Sequence, residues 1–361
     1  MNRKYKHLET LYRDNLVCAE EFGIEYSEEA IDWYTREGKK EKFSYESANG
    51  KKILEKKTLK YIEDLVIPPM WSDVEISPNP KTHILAYGYD DKGRKQYIYN
   101  EKWSEARSLV NSYKLILFGT ALGNVRTEYK KFLKSEFGSK EYLLGLFIFL
   151  LDETVIRVGN DYYFQENGTI GLATLQTEHI TKKGNKIFLK FIGKSGKEHE
   201  IEIENKNLKT QLIKILDTKK GDIFEYQDSG EARKITPSQV NEYIREISKT
   251  ELISAKDFRT WHATRIVFEE MIENLDSEIS ETQRKKVLLS GFDSAAEKLG
   301  NTRTMIRNSY AHGDLIESVE EQTFLKRYNS VKIHKKLRNL SVRESELLRC
   351  LEKLYDENMS D

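Results

Sequence analysis

Gly193-Lys194-Ser195 is the most conspicuous grouping in the chain that suggests chemistry, because a Gly-Lys-Ser end is what a nucleotide-binding loop presents to phosphates. That loop needs another glycine five positions before Gly193, and Phe188 stands there, so an ATPase reading fails. Metal chemistry has no better footing. There is no His-Glu-x-x-His, and the seven histidines form no ligand pair at helical spacing. Cys18 and Cys350 lie near opposite ends of the sequence, which argues against both a zinc site and a disulfide framework. Asn167-Gly168-Thr169 has the form of a glycosylation sequon but reads more simply as a turn.

The informative segment is Lys256-Asp257-Phe258-Arg259-Thr260-Trp261-His262-Ala263-Thr264. An arginine followed by an aromatic and His-Ala-Thr is typical of DNA-cleaving tyrosine enzymes. Downstream come Leu299-Gly300-Asn301-Thr302 and Arg307-Asn308-Ser309-Tyr310. Upstream, Leu151 to Asn160 contains Arg157, and Tyr163 and Gly171-Leu172-Ala173-Thr174-Leu175 follow it. The N-terminal half adds Ile67-Pro68-Pro69-Met70-Trp71-Ser72-Asp73-Val74 and Lys92-Gly93-Arg94-Lys95-Gln96-Tyr97-Ile98-Tyr99. Together these segments resemble the compact type IB DNA topoisomerases of poxviral and bacterial type. The resemblance runs from about Phe43 to His312, and no single motif carries it.

The resemblance implies a catalytic set. Tyr310 matches the nucleophile that attacks a backbone phosphodiester, leaving a 3′-phosphotyrosyl link and a free 5′-hydroxyl. A phenol, with an ordinary pKa of about 10, is a fair nucleophile once oriented and also a fair leaving group, which suits a reversible transfer. One phosphodiester replaces another, so no ATP is required, and the resemblance implies that no metal is needed either. Arg157 and Arg259 match the arginines that neutralise the non-bridging oxygens, for which guanidinium donors are well shaped. Asn301, nine residues before Tyr310, stands where many family members carry histidine. Its amide can donate to the same oxygen but does not titrate, and a capping role at the next helix is its alternative. Lys194, at a hairpin turn, matches the proton donor to the leaving 5′-oxygen, with Lys197 on the same turn as its competitor. Lys256, three residues before Arg259, is expected to support the phosphate electrostatically from the same helical face.

Double-stranded DNA is the implied partner, held by a clamp in which phosphate contacts set position and a few groove contacts set preference. Arg94, Lys95, Gln96, Tyr97 and Tyr99 match the family segment that enters the major groove, and Tyr163 matches a tyrosine near the active site. Strand alternation puts Gln96 and Ile98 on one face, Tyr97 and Tyr99 on the other, and ordinary strand packing is the alternative for the tyrosines. A tyrosine recombinase would share the nucleophile and arginines, but the Pro-Pro-x-Trp segment and Lys256 favour a topoisomerase acting as a monomer. A DNA-binding protein with a dead site is disfavoured because the expected polar groups are all present.

The elements that must position these groups change in character along the chain. Up to about residue 104, turn signals at Asn49-Gly50 and Asp91-Lys92-Gly93 separate short alternating stretches, predicting a small β-rich domain over residues 1–104. Residues 105–361 show longer periodicities near 3.6, with helices expected over Glu105–Phe118, Glu141–Val155, Leu208–Leu216, Pro237–Ser248, Ala255–Ile272, Arg284–Leu299 and Val342–Tyr355. Thr236 before Pro237, and Ser254 with Asp257, are start signals. One hairpin interrupts the helices, with strands Lys186–Ile192 and Lys197–Ile203. The fold class is therefore α+β: a β-rich N-terminal domain and a mainly helical catalytic domain with a hairpin. Beyond Tyr310 the last fifty or so residues lie outside the family pattern and read as a helical extension packed on the catalytic domain, with extra DNA contact as the alternative.

The bulk numbers are less telling. With 59 basic and 59 acidic residues the formal net charge is zero, so composition alone does not point to DNA and any basic surface must be made by folding. The longest apolar run, Tyr142 to Leu151, is too short to cross a bilayer, and the N-terminus has no signal-like stretch, so an intracellular, DNA-associated protein is expected.

Overall fold

A computed structural model describes residues 3–27, 32–39, 42–159, 164, 168–332 and 335–358. The chain divides into two compact units, Met1–Asn111 and Ser112–Asp361. The division falls inside a long helix rather than at residue 104, because the periodic segment starts at Glu101 and continues unbroken to Phe132.

The first unit is built on a five-stranded antiparallel sheet of β1 (Tyr34–Lys39), β2 (Lys42–Glu46), β3 (Ser72–Ile76), β4 (Ile84–Tyr89) and β5 (Lys95–Tyr99), in the order β2-β1-β3-β4-β5. The turn between β4 and β5 lies where Asp91-Lys92-Gly93 predicts it, and Gly93 takes a φ of +68° there. Among the described residues three helices accompany the sheet: α1 (Arg3–Arg13), α2 (Asn15–Glu21) and α3 (Lys56–Asp64). Ile62 of α3 packs with Val74, Ile76 and Ala86 of the sheet, while Leu11, Cys18 and Ala19 form a second cluster with Trp103, Ala106 and Val110. A purely β reading misses these helices because each buries few residues among many charges, which leaves their period faint.

The second unit contains most of α4 (Glu101–Phe132), then α5 (Lys140–Thr154). Every residue of α5 from Tyr142 to Asp152 is buried; a helix apolar on all sides belongs in a core, not at a surface. A three-stranded antiparallel sheet follows: β6 (Ile180–Lys183), β7 (Lys186–Ile192) and β8 (Glu198–Ile203), so the expected hairpin gains a third strand. Then come α6 (Lys206–Thr218), a small ribbon of β9 (Glu225–Asp228) and β10 (Glu231–Lys234), α7 (Pro237–Ser248), α8 (Ala255–Asn274) and α9 (Glu281–Leu299). The chain ends in α10 (Arg303–Ser309), α11 (Gly313–Glu320), α12 (Phe324–Val331) and α13 (Val342–Asn358). The α7 start is as the sequence predicts, with Thr236 and Gln239 capping each other around Pro237. At α8 the box is one-sided: the Asp257 carboxylate accepts from the Ser254 backbone and hydroxyl at 2.7 and 2.9 Å, and also pairs with Lys114 at 2.8 Å. No helix among the described residues is long and apolar enough to cross a membrane.

The C-terminal extension is part of the second core. Leu347, Leu348, Leu351 and Leu354 of α13 are buried, and Tyr355 meets Tyr113 edge-on at 4.5 Å. Between Lys332 and Arg338, a run rich in basic residues, positions 333 and 334 lie outside the described residues. At the start of α13, Glu344 binds Arg126 through two 2.8 Å contacts, and Arg126 in turn grips Asp152 at 2.8 and 3.1 Å. Burial alone would raise the Glu344 carboxyl, but hydrogen bonding and charge from Arg126 hold it down at about 2. Its contribution to stability is therefore complete above the ordinary glutamate range and is lost as the pH falls toward about 2. Glu344→Ala removes one partner of a buried pair while Asp152 remains, so a loss near the lower end of the usual ~3–5 kcal/mol is expected. Urea unfolding at neutral pH measures it, and an unchanged midpoint contradicts the bracing role.

Candidate active site

Arg157 is carried on an extended segment just after α5. That helix stops at Val155, whose left-handed φ of +51° turns the chain, and the backbone then pairs with the Gly171-Leu172-Ala173 stretch. Leu172 N donates to Arg157 O at 2.9 Å and Ala173 N to Val158 O at 2.8 Å. The pairing is possible because Gly159 and Gly171 meet face to face: a Cβ on Gly159 would lie 2.8 Å from the Gly171 Cα. The two motif glycines thus fix the strand that presents Arg157.

Arg259 lies in α8 and is buried. Its guanidinium donates to Val155 O, at the end of α5, and to Leu299 O, the last residue of α9, the latter at 2.9 Å. Two helix C-termini, each carrying partial negative charge, hold the cation in the interior. The motif residues that follow are buried or paired with other parts of the chain. Trp261 is fully buried, His262 Nε2 lies 3.0 Å from the Asp152 carboxylate, and Thr264 Oγ1 donates to Tyr310 O at 3.0 Å.

Asn301 is the middle residue of the three-residue link Gly300-Asn301-Thr302 between α9 and α10. Gly300, at φ +64°, closes α9, with Gly300 N donating to Glu297 O and Asn301 N to Ala296 O. Thr302, not Asn301, caps α10, its hydroxyl accepting from Met305 N at 3.3 Å. The capping alternative for Asn301 therefore fails, and its side-chain oxygen instead accepts from Arg157 Nη2. Tyr310 ends α10 with its ring 5.6 Å from the Arg259 guanidinium carbon. Burial would push the phenol up, but the Arg259 charge and hydrogen bonding, the Asn301 amide and the Arg157 charge together hold it below its ordinary value. Arg259 Nε and Asn301 Nδ2 are buried and make no hydrogen bond of normal geometry among the described residues. Such donors suit an anion in the site.

The remaining residues are placed as follows. Lys194 and Lys197 are both exposed on the β7–β8 turn, where Gly193 N donates to Lys197 O at 2.7 Å. Lys256 is exposed one turn before Arg259. Tyr163 lies outside the described residues. In the first unit, Tyr97 and Tyr99 are exposed and stacked at 5.6 Å, whereas Ile98 faces the core, so the expected alternation holds and the tyrosines are not core packing. Arg94 and Gln96 are both held by the Asp90 carboxylate, at 2.7 and 3.0 Å, and the Lys95 ammonium lies 3.8 Å from the Tyr87 ring centre.

Sequence reading missed Asp90 and His199. His199 stacks on Phe191 at 4.9 Å, and burial first, then the charges of Lys197, Arg157 and Arg259, push its imidazole down. A signal was present: in Glu198-His199-Glu200-Ile201-Glu202-Ile203 the histidine shares the inward parity of the two isoleucines.

Comparison with known proteins shows the family to which the chain belongs. Residues 94–337 match the family model for the eukaryotic DNA topoisomerase I catalytic core, and residues 42–90 match that for the bacterial DNA topoisomerase IB N-terminal domain. The chain is 27% identical over 290 residues to DNA topoisomerase 1B of Acanthamoeba polyphaga mimivirus, covering 78% of this chain and 86% of that protein. It is 26% identical over 245 residues to DNA topoisomerase 1B of vaccinia virus (strain Copenhagen), covering 68% and 75%. A more distant relative is DNA topoisomerase 1 of Schizosaccharomyces pombe, 29% identical over 203 residues that make up 54% of this chain and 22% of that one. With the catalytic-core match spanning well over half of its length, the chain belongs to the type IB DNA topoisomerases, a family of isomerases.

Proposed function

We propose that the protein relaxes supercoiled DNA by nicking one strand through Tyr310, allowing rotation and resealing the nick. The Tyr310 oxygen attacks the phosphorus, the bond to the 5′-oxygen breaks, and the phenol proton passes to solvent. Lys194 supplies a proton to the departing 5′-oxygen. Arg157, Arg259 and Asn301 stabilise the extra negative charge on the non-bridging oxygens. Religation runs the same steps backwards, with the 5′-hydroxyl attacking the phosphotyrosine. Each bond broken is replaced by one of the same kind, so the cycle needs no ATP, and the cationic side chains do the charge neutralisation without a metal.

The observation that carries this reading is the convergence of Arg157, Arg259 and Asn301 on the half-buried Tyr310, whose phenol they hold below its ordinary pKa. The test is incubation of the purified protein with supercoiled plasmid and a metal chelator. Relaxed topoisomers are expected without a defined recombination site; unchanged supercoils contradict the reading.

We also propose that the two units grip duplex DNA as a clamp, as a monomer inside the cell, with Arg94, Lys95, Gln96, Tyr97 and Tyr99 in the major groove and Lys256 and Tyr163 nearer the cleaved phosphate. The exposed Tyr97–Tyr99 pair supports that assignment. Affinity should then fall steeply with salt, by about 0.9 in log-log slope per phosphate neutralised. Filter binding between low and moderate salt measures the slope, and an almost flat line argues against a backbone-gripping clamp.

A further inference from the structure

His199 stands between the two loops that carry the proposed proton donor and the amide of the oxyanion site. A Cβ on Gly193 would lie 2.8 Å from both Cδ2 and Nε2 of His199, and a Cβ on Gly300 would come closer still to its Cε1. Gly193 directly precedes Lys194, and Gly300 directly precedes Asn301. The imidazole ring is thus packed against the backbone of both loops at once, and Phe191 stacks on it at 4.9 Å.

The β7–β8 turn is closed on itself at Gly193, which donates from its N to Lys197 O at 2.7 Å and accepts from Gly196 N at 3.2 Å. A shift at Gly193 therefore carries Lys194 with it. Across the ring, the Gly300 backbone is fixed by the end of α9, which also supplies Leu299 O to Arg259. The Gly300 loop is held by the end of α9, whereas the hairpin turn is held at Gly193 by hydrogen bonds within the turn.

We propose that His199 is a positioning residue that sets the Lys194 turn against the Gly300-Asn301 loop, keeping the proton donor in register with the groups that bind the phosphate. The proposal rests on the reading of Lys194 as the donor. Burial first, and then the charges of Lys197, Arg157 and Arg259, disfavour the protonated imidazole, so its part is steric and adds no charge to the oxyanion site.

Single-turnover cleavage of an ordinary duplex and of one with sulfur at the bridging 5′ position separates the roles, since a departing thiolate does not need the proton. His199→Ala and Gly193→Ala are each expected to slow cleavage of the ordinary duplex by about 10²-fold, the scale of a misplacement of roughly 1 Å. Gly193 has a φ of −93°, open to alanine, so its variant reports the contact even if His199→Ala folds poorly. Sulfur should restore both variants. The double variant should be no slower than His199→Ala, because each change acts through the same contact. Wild-type rates in His199→Ala, multiplied effects in the double variant, or failure of sulfur to restore either single variant while it restores Lys194→Ala would overturn the proposal. If sulfur does not restore Lys194→Ala itself, the reading of Lys194 as the donor falls instead.

Discussion

Tyr310→Phe is expected to abolish plasmid relaxation and covalent adduct formation while leaving non-covalent duplex binding near the wild-type level. The substitution removes only the attacking oxygen. The ring that faces Arg259 at 5.6 Å remains, and Thr264 still holds the backbone carbonyl at 3.0 Å, so α10 and the arginine site should keep their places. Loss of nucleophilic attack is not a partial effect: no other group in the catalytic set can form the same bond and release it again. Gel-shift binding beside a denaturing-gel adduct assay measures both quantities on one preparation. Residual adduct would move the nucleophile to another residue, and loss of binding would mean that the phenol also holds the site together.

Lys194→Ala carries the second large effect. An alkoxide is a poor leaving group, so removal of a positioned proton donor should slow cleavage by about 10²- to 10⁴-fold. Binding should change little, since Lys194 is one exposed cation at the tip of a turn. With sulfur at the bridging position the departing group is a thiolate, stable near neutral pH because an ordinary thiol has a pKa of about 8.5. Cleavage by Lys194→Ala should then recover. Arg157→Ala and Arg259→Ala should remain slow on both substrates, because the task proposed for them is at the non-bridging oxygens. The same pair of substrates applied to Lys197→Ala and Lys256→Ala tells whether another exposed lysine delivers the proton. Rescue of one of those variants alone would transfer the role to it.

How much of this was legible in the sequence depended on whether a residue's signal was local. The β7–β8 hairpin, the α7 start at Thr236-Pro237 and the β4–β5 turn announce themselves through short-range turn and cap chemistry, and each lies where that chemistry puts it. The motif arginines and Tyr310 were found by resemblance, whereas the cage around Arg259 was not visible at all. Its partners Val155 and Leu299 offer backbone carbonyls, which any residue type can supply, from positions 104 and 40 residues away. Asn301 shows the same limit. Its sequence neighbourhood reads equally well as a helix cap, and only the fold brings Arg157 to it across 144 residues. The extension after Tyr310 was read as packing on the catalytic domain, yet nothing local in Glu344 tells that it reaches Arg126, 218 positions earlier. Helices α10, α11 and α12 escaped notice because each is eight residues or shorter, too brief for a 3.6-residue period to stand out.

The central claim is that a transient bond forms between Tyr310 and a 3′-phosphate. Cleavage of a duplex carrying 5′-bridging sulfur should accumulate the covalent intermediate, since the released thiol rejoins poorly. Digestion of the denatured adduct and mass spectrometry of its peptides should then find the nucleotide mass on the peptide containing Tyr310, with the DNA joined through its 3′ end. A nucleotide on any other residue, or a 5′ linkage, would contradict the account.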